Sequence, residues 1–295
     1  MILPPSPYPF LASEAGRVGR VTLLGAPLDR TGSFRPGTAD GPHGIRWASE
    51  NLETYSPALD LDLEDLEVGD LGDLSFDDCS AEEAVNRIAA EAGALLDAGT
   101  LPLVFGGEHT IALGITHAVM ARHPEAMILH FDAHADLREE YLGERCSHAA
   151  WAYHAGAAYG FERLVQLGIR SGLREEFTLG RARCAHFGTG LEIPAGVRLA
   201  LAERPVYLTL DIDVLDPSHA PGTGTPEAGG PTYPELMACL TSLRDLHVVA
   251  MDINEVAPPL DPSGITSAVA SKIARELMLL FGMKRPEGPA AAGRG

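Results

Sequence analysis

A chain of 295 residues with 45% hydrophobic residues and a mean hydropathy of +0.03 has the composition of a globular protein, which excludes a disordered chain. The balance of 22 basic against 41 acidic residues, a net charge of −19, argues against a nucleic-acid partner and favours cationic small molecules. No apolar run approaches membrane-spanning length, so we expect no membrane association. We expect a cytoplasmic protein, because the four cysteines are widely spaced and the N-terminus lacks the features of a secretory signal.

Short apolar runs alternate with helical patterns along the whole chain. The predicted strands are residues 20–26, 101–105, 126–131, 164–169, 205–210 and 247–251. The predicted helices are residues 81–98, 111–122, 234–246 and 266–281, the first of them opened by a Ser80–Glu83 capping box. This alternation predicts an α/β fold with one mostly parallel sheet, and we expect residues 1–295 to form a single domain.

Three segments between or beyond these elements have their own compositions. Residues 27–46 form a long segment rich in Gly and Pro, and a loop of that length in a compact domain is often functional. The acidic stretch 60–78 is typical of solvated surface. Residues 283–295 have the composition of a flexible tail.

Acidic and imidazole side chains follow four of the predicted strands. The carboxyl ends of parallel strands lie at one edge of a sheet, where ligands bind, so these four stretches are expected to converge. They contain Glu108 and His109 after the second predicted strand, Asp132, His134 and Asp136 after the third, Asp211 and Asp213 after the fifth, and Asp252 and Glu255 after the sixth.

Four converging aspartates would repel one another unless cations neutralise them. Two divalent cations would balance the charges of Asp132, Asp136, Asp211 and Asp213, and His109 and His134 would add neutral nitrogen ligands. A set of carboxylates and imidazoles without thiolates suits Mn²⁺ better than structural Zn²⁺. A pair of such cations lowers the pKa of a water between them and supplies a hydroxide nucleophile at neutral pH.

Each of these residues also has an ordinary interpretation. A lone Asp after a strand usually caps a turn, and a lone His is usually satisfied by hydrogen bonds. The whole set together favours a metal site, whereas His148 could be a structural loop histidine and Glu255 a surface carboxylate. The remaining histidines considered are interpreted as ordinary ones: His43, His117, His123, His154, His186, His219 and His247.

The sequence resembles the ureohydrolases, the arginase and agmatinase family of binuclear manganese enzymes. The resemblance extends from the 35–46 loop to about Phe281. Its motifs occur in the family's order: "GGEH" at 106–109, "FDAHAD" at 131–136, "SHA" at 147–149, "DIDVLDPSHAPGTGTPEAGG" at 211–230 and "NEVAPPLD" at 254–261. It implies an arginase-like, three-layer α/β/α sandwich with a mostly parallel sheet.

The resemblance also implies roles for individual residues. His148 matches the family's proton-shuttle histidine, and Glu255 matches the carboxylate that binds the guanidinium group. Asp136 is expected to transfer a proton to the leaving nitrogen as well as to bind metal. A homo-oligomer, a trimer or a hexamer, is expected. The implied ligands of two Mn²⁺ ions per chain are His109, Asp132, His134, Asp136, Asp211 and Asp213.

The expected substrate is agmatine, cleaved to urea and putrescine, a step of polyamine biosynthesis. Arginases hold the amino-acid end of their substrate with polar groups that the stretch 137–145 lacks, and Leu173 stands where they place an Asp. The ammonium end of agmatine could face Glu139, Glu140 or Glu144.

The alternative within the family is guanidinobutyrase, whose anionic substrate tail Arg138 or Arg145 could bind. Three further alternatives are weaker. An inactive ureohydrolase-like binding protein would not need every ligand position filled. A related metal-dependent deacetylase would carry tandem histidines, which are absent from the sequence. A phosphoesterase is disfavoured because the chain has no P-loop signature and only two lysines, Lys272 and Lys284.

Overall fold

A sheet of nine strands lies at the centre of the fold, and every neighbouring pair of strands in it is parallel. The computed structural model describes residues 8–283. The strands in this part of the chain are β1 (Ser13–Ala15), β2 (Val21–Ala26), β3 (Tyr55–Ser56), β4 (Leu61–Asp62), β5 (Val68–Asp73), β6 (Leu101–Gly106), β7 (Met127–Phe131), β8 (Leu164–Leu167), β9 (His186–Phe187), β10 (Pro205–Asp211) and β11 (His247–Asn254). The order in the large sheet is β1-β5-β2-β6-β11-β10-β7-β8-β9, and β3 and β4 form a separate antiparallel pair.

Helices cover both faces of this sheet. They are α1 (Gly41–Ser49), α2 (Ala81–Asp97), α3 (Ile111–Arg122), α4 (Trp151–Tyr159), α5 (Arg174–Arg183), α6 (Ala195–Ala202), α7 (Tyr233–Ser242) and α8 (Ile265–Gly282). Residues of α2, α3 and α4 form one apolar core with the sheet, and residues of α1, α6, α7 and α8 form the other. The fold is therefore a three-layer α/β/α sandwich, as expected. No helix within residues 8–283 is long and apolar enough to cross a membrane.

Consecutive residues of the central strands point into opposite cores. Leu23 and Leu103 belong to one core, and their neighbours Leu24 and Val104 belong to the other. Both faces of the strands are thus covered, which explains why these segments are continuously apolar instead of alternating with polar residues. All six predicted strands are confirmed.

The predicted helices are also confirmed, and the ends of α7, β8 and β11 differ by two to four residues from the prediction, with β11 continuing to Asn254. Ser80 and Glu83 form the predicted capping box at the start of α2. Helix α7 ends at Ser242, four residues before its predicted end, where the Ser242 hydroxyl bonds back to the carbonyl of Cys239 at 2.7 Å. Strand β8 ends at Leu167 because the backbone of Gly168, with a φ of 87°, leaves the extended region.

The interpretation of residues 60–78 as solvated surface is wrong for its centre. Strand β5 (Val68–Asp73) lies inside the sheet between β1 and β2. Its Asp70 is buried because the guanidinium of the equally buried Arg46 donates to both carboxylate oxygens, from Nε and Nη2 at 2.8 Å each. Arg46 belongs to α1, so the predicted 27–46 loop is partly helical at its end.

The four strands followed by polar motifs are neighbours at the centre of the sheet, in the order β6-β11-β10-β7. Because they are parallel, their carboxyl ends lie side by side at one edge. The turns that leave these ends carry the predicted site residues. Arg35 brings the 27–46 segment to the same edge by donating to the carbonyl of Thr223 at 2.7 Å.

Candidate metal centre and catalytic cavity

Two groups of ligand atoms lie side by side at the carboxyl edge of the central strands. The first contains His109, His130, Asp132 and Asp136, and the second contains Asp132, His134 and Asp213, with the ligand atoms of each group within 4.8 Å of one another. Asp132 belongs to both groups. A carboxylate shared in this way is typical of binuclear metal sites.

The first group is centred on Nδ1 of His109. This nitrogen lies 3.0 Å from Oδ2 of Asp132, 3.6 Å from Oδ2 of Asp136 and 3.3 Å from Oδ2 of Asp211. In the second group, Nδ1 of His134 lies 2.9 Å from Oδ2 of Asp213. The six side chains predicted as ligands therefore lie together, while their role as ligands stays a prediction.

The protein's own charges leave this cluster of carboxyl groups poorly balanced. Burial, followed by repulsion from Asp132, raises the pKa of Asp136 well above its usual range. Burial and the neighbouring Asp213 do the same to the pKa of Asp211. Burial lowers the pKa of His109, but the hydrogen bond to Asp132 and its charge outweigh burial and raise it to about 9. A set of donors that holds on to protons in this way fits dications, which would replace the protons.

The far side of the His109 ring is fixed by hydrogen bonds inside the sheet. Nε2 of His109 lies 2.8 Å from the hydroxyl of Thr209, and that hydroxyl donates to Oδ1 of Asp252 at 2.6 Å. Since the single proton of Thr209 goes to Asp252, Nε2 of His109 must be the donor to Thr209. The lone pair of a neutral His109 is therefore on Nδ1, which faces the aspartates.

No role was predicted for His130, which lies near the end of β7 between Asp132 and Trp151. Its Nε2 is 2.8 Å from Oδ2 of Asp132, and its ring packs edge-on against Trp151. The indole of Trp151 in turn donates to Oδ2 of Asp136 at 2.8 Å. The only sequence signal for His130 was a polar residue inside an apolar strand, two residues before Asp132.

His148 lies at the cavity wall and is held by a buried network. Its Nδ1 lies 3.0 Å from the hydroxyl of Thr31, which donates to Oε1 of Glu108 at 2.9 Å. Burial lowers the pKa of His148, so the neutral imidazole is favoured. Neither Thr31 nor Glu108 was assigned a role from the sequence. They lie 77 positions apart along the chain, and only the fold brings them into contact.

Glu255 lies beside the first group of ligand atoms and does not lie on the open surface. Its Oε1 accepts a hydrogen bond from the backbone N–H of His109 at 2.8 Å. Its backbone has a φ of 63°, in the left-handed region, as the chain leaves β11. Burial raises the pKa of Glu255 to about 8 despite that hydrogen bond. A partly desolvated carboxylate of this kind is suited to bind a guanidinium cation.

A cavity of about 190 Å³ opens onto these groups. His109, His134, Asp136, His148, Asp211 and Glu255 line it together with Arg138, Tyr141 and Glu176. Asp132 and Asp213 are buried behind this surface. The described part of the chain thus presents one Arg, no Lys and several carboxyl groups to the cavity.

The glutamates of the 137–145 loop do not line the catalytic cavity, and their contact with a substrate tail stays a prediction. Glu139 and Glu140 line an adjoining surface cavity together with Leu173, and this cavity shares Arg138, Tyr141 and Glu176 with the catalytic one. Glu144 is exposed outside both cavities. The carboxylate that reaches the catalytic cavity is Glu176, at the first turn of α5. It accepts hydrogen bonds from the backbone N–H groups of Leu137 and Leu173 at 3.0 and 2.7 Å.

Of the two arginines considered for tail binding, only Arg138 lines the catalytic cavity, and Arg145 is exposed outside it. The Nε of Arg138 lies 3.4 Å from Oε2 of Glu176, and its guanidinium lies over the ring of Tyr141 at 4.8 Å. The positive charge of Arg138 is therefore already opposed by a buried carboxylate.

The family model described as "Arginase family" matches residues 19–280. The chain belongs to the arginase family. An agmatinase of Bacillus subtilis is 42% identical over 263 residues, covering 88% of this chain and 91% of the relative. A guanidinobutyrase of Pseudomonas aeruginosa is 36% identical over 274 residues, covering 88% and 85%. The crystal structure of the agmatine ureohydrolase of Thermoplasma volcanium superposes with a TM-score of 0.82 at 28% identity, covering 93% and 94%.

Family membership and geometry agree on the class of chemistry. The protein is a ureohydrolase, an enzyme that acts on guanidino compounds. The two groups of His and Asp side chains that share Asp132 are compatible with a binuclear metal site. The family motifs and the cavity lie at the same edge of the sheet, the carboxyl ends of the central strands.

Proposed function

We propose that this ureohydrolase cleaves agmatine to urea and putrescine with two Mn²⁺ ions bound per chain. The observation that carries the choice of substrate is the charge of the cavity wall. Its one Arg, Arg138, is opposed by the buried Glu176, so an anionic tail would have to separate this pair. A cationic tail needs no such separation and can approach Glu176, the carboxylate of the cavity wall that is assigned neither to the metal ions nor to the guanidinium. This pair is only partly buried, and losing a charge-assisted hydrogen bond costs about 1.5–3 kcal/mol, which is about 10- to 100-fold in kcat/KM.

The proposed ligands are His109, Asp132, Asp136 and Asp211 around one ion, and Asp132, His134 and Asp213 around the other. Asp211 is placed in the first set because its Oδ2 lies 3.3 Å from Nδ1 of His109. The ions would supply a nucleophile derived from water and neutralise the four aspartates. Carboxylate-rich sites with two imidazoles suit Mn²⁺.

The remaining steps are assigned to side chains at the cavity surface. Glu255 binds the guanidinium of the substrate through a charge-assisted hydrogen bond and orients its central carbon towards the ligand groups. Asp136 takes up the remaining proton of the nucleophile at Oδ1, because the indole of Trp151 already donates to Oδ2, and passes it to the leaving nitrogen as the C–N bond breaks. His148 exchanges protons with solvent and protonates the departing amine. Urea and putrescine then leave the cavity.

The test is urea release from agmatine, 4-guanidinobutyrate and arginine, compared as kcat/KM with manganese-loaded protein. We expect agmatine to rank first. A higher value for 4-guanidinobutyrate would overturn the assignment of the tail and favour a guanidinobutyrase. No urea from any of the three would contradict the hydrolase itself.

Two arginine variants sharpen this test. Arg138→Gln should lower any activity on 4-guanidinobutyrate more than the activity on agmatine, because only an anionic tail gains from that guanidinium. Arg145→Gln, which removes the same charge outside the cavity, is the matched control and should change neither activity.

Metal stoichiometry tests the cofactor independently of the substrate. Elemental analysis after dialysis against Mn²⁺ should give about two ions per chain, as the two donor groups require. A folded protein that holds one ion at saturating Mn²⁺ would contradict the binuclear site.

We further propose a cytoplasmic homo-oligomer, a trimer or hexamer, in which residues 1–295 of each chain form one domain around the single large sheet.

A further inference from the structure

His130 is the one ionisable side chain in the first group of ligand atoms that the proposed ligand set does not use. It is fully buried near the end of β7, with the rings of His109 and Trp151 at 5.0 and 4.8 Å. A histidine here is either a further metal ligand or a hydrogen-bond partner of one. The protons on its two nitrogens decide between these roles.

Gln166, buried on the neighbouring strand β8, determines where those protons are. Its Nε2 lies 2.8 Å from the carbonyl oxygen of Ala135, which can only accept, so this atom is the amide nitrogen. The same nitrogen lies 2.9 Å from Nδ1 of His130 and donates its second proton there. Nδ1 of His130 is thus an acceptor, and the proton of the neutral ring is on Nε2.

The orientation of the Gln166 amide is supported from its other end. Oε1 of Gln166 lies 3.6 Å from the thiol of Cys184. Burial raises the pKa of Cys184 to about 12, so this thiol keeps its proton and donates it. Both ends of the amide therefore have partners of the right kind, and a flipped amide would place its oxygen against the carbonyl oxygen of Ala135.

The proton on Nε2 of His130 points at Oδ2 of Asp132, 2.8 Å away. The other oxygen, Oδ1, accepts the backbone N–H of His134 at 2.5 Å. Nδ1 of His109 also lies 3.0 Å from Oδ2, and once it is deprotonated to bind metal, each oxygen of Asp132 has one protein donor and keeps a further lone pair. A carboxylate shared by two metal ions needs both of its oxygens held in a fixed direction with a lone pair left on each.

We propose that His130 and Gln166 are positioning residues that orient Asp132 between the two metal ions, and that His130 is not itself a ligand. This inference rests on the metal site of the proposed function. The amide of Gln166 sets the tautomer, and the imidazole N–H then fixes the rotation of the carboxylate. Hydrogen-bond partners of metal ligands typically change metal affinity by about 10- to 100-fold when they are removed.

The first test replaces His130 and measures metal binding, not activity. Metal-free wild type, His130→Phe and His130→Gln are titrated with Mn²⁺, free Mn²⁺ is quantified by EPR, and the exchange-coupled signal of the bound pair is recorded. His130→Phe keeps a ring but removes the donor, so we expect affinity to fall by about 10- to 100-fold and the coupled signal to change. His130→Gln should recover most of the loss, because its amide nitrogen lies the same number of bonds from Cα as Nε2 of histidine.

Two further variants separate this effect from general damage to the fold. Gln166→Met keeps the length of the side chain and removes the amide, so it should weaken Mn²⁺ binding less than His130→Phe but in the same direction. His117→Phe is the matched control. His117 lies in α3, outside the site, and its Nδ1 is hydrogen-bonded to the Tyr159 hydroxyl at 2.7 Å. It should bind Mn²⁺ as the wild type does.

The outcomes distinguish the two proposals. Wild-type protein that fails to bind two Mn²⁺ ions contradicts the proposed function. If the wild type binds two, wild-type affinity and coupling in His130→Phe overturn the positioning role, and wild-type behaviour of Gln166→Met overturns the step through the amide. Loss of one ion at saturating Mn²⁺ in both His130→Phe and His130→Gln would make His130 a ligand and overturn the inference.

Discussion

The hydroxyl of Thr31 lies 3.0 Å from Nδ1 of His148 and gives its only proton to Glu108. Thr31 must therefore accept the hydrogen bond from the imidazole. This fixes the neutral His148 with its proton on Nδ1 and the lone pair on Nε2. The carboxylate of Glu108 is held in turn by the backbone N–H groups of Arg30 and Thr31 at 2.7 and 2.6 Å. The segment after β2 and the turn after β6 together orient a side chain of a third segment.

Thr31→Val should lower kcat by about tenfold, because a hydrogen bond of this kind contributes about 1–1.5 kcal/mol. Mn²⁺ content should not change, since Thr31 contacts none of the proposed ligands. The measurement is steady-state urea release with elemental analysis of the same sample. Thr178→Val, on the exposed side of α5, is the matched control and should leave kcat at the wild-type value. Equal kcat values for the two variants would contradict the positioning of His148 by Thr31.

His148→Ala and Asp211→Ala should fail in different ways. Removing the proposed proton shuttle should lower kcat by about 10²- to 10⁴-fold while two Mn²⁺ ions stay bound. Removing Asp211 should release metal, because its Oδ2 lies among the donors around Nδ1 of His109. Kinetics and elemental analysis on both variants provide the comparison. Equal loss of manganese from the two variants would show that His148 is a ligand.

Removing the metal ions with a chelator should make the thermal stability of the protein fall as the pH rises. In the metal-free protein the pKa values of Asp136 and Asp211 are raised well above their usual range by burial and repulsion, and those of His109 and Glu255 are about 9 and 8. A raised folded pKa stabilises the fold below the unfolded value, and this stabilisation is lost as pH rises through the folded pKa. Metal-free protein should therefore have a lower Tm at pH 9 than at pH 7.

Bound Mn²⁺ replaces those protons, so the Tm of the loaded protein should change much less over the same range. Thermal melts with and without EDTA at pH 7, 8 and 9 measure both slopes. Metal-free Asp211→Asn removes one of the groups with a raised pKa and should show a shallower fall. A Tm of the metal-free wild type that rises between pH 7 and 9 would refute this assignment.

Arg46→Met should lower the free energy of unfolding by about 3–5 kcal/mol, because it leaves the buried Asp70 without its counter-ion. The Arg46 side chain is fully buried and also donates to Asp73 at 2.6 Å. Arg122→Met is the matched control. It breaks an ion pair with Asp97, which is largely exposed, and should cost less than about 1 kcal/mol. Denaturation in guanidinium chloride compares the two, and similar midpoints would contradict the importance of the buried pair.

Local pattern was enough to predict the elements that surround the site. The six strands are buried on both faces, and continuous apolar runs report that burial directly. The capping box of α2 is equally local. The polar motifs after β6, β7, β10 and β11 could be placed at one edge because parallel topology alone brings carboxyl ends together. The sequence thus predicted that six side chains meet: His109, Asp132, His134, Asp136, Asp211 and Asp213.

What could not be predicted depends on contacts between distant segments. Strand β5 looked like surface because its aspartates are acceptable in a sheet only with Arg46 beside them. That Glu139 and Glu140 lie outside the lining of the catalytic cavity could not be predicted, because a sequence shows that a loop lies near the site but not which side of it faces the cavity. Glu176 was missed since helix α5 places it there, 40 residues after Asp136 along the chain. His130 was missed because its partner Gln166 comes from another strand.

The order of the central strands also has a consequence for how the protein reaches its native state. The groups that meet in the cavity come from β6, β7, β10 and β11, and parallel neighbours can pair only after the chain between them has crossed over the sheet. Strands β7 and β10 pair directly and can bring Asp132, His134 and Asp213 together, but His109, which follows β6, joins them only when β11 has inserted between β6 and β10. Such non-local pairing makes folding slow. Uptake of the full pair of Mn²⁺ ions during refolding should accordingly follow the last structural phase, and its half-time would report when β11 joins β6 to β10.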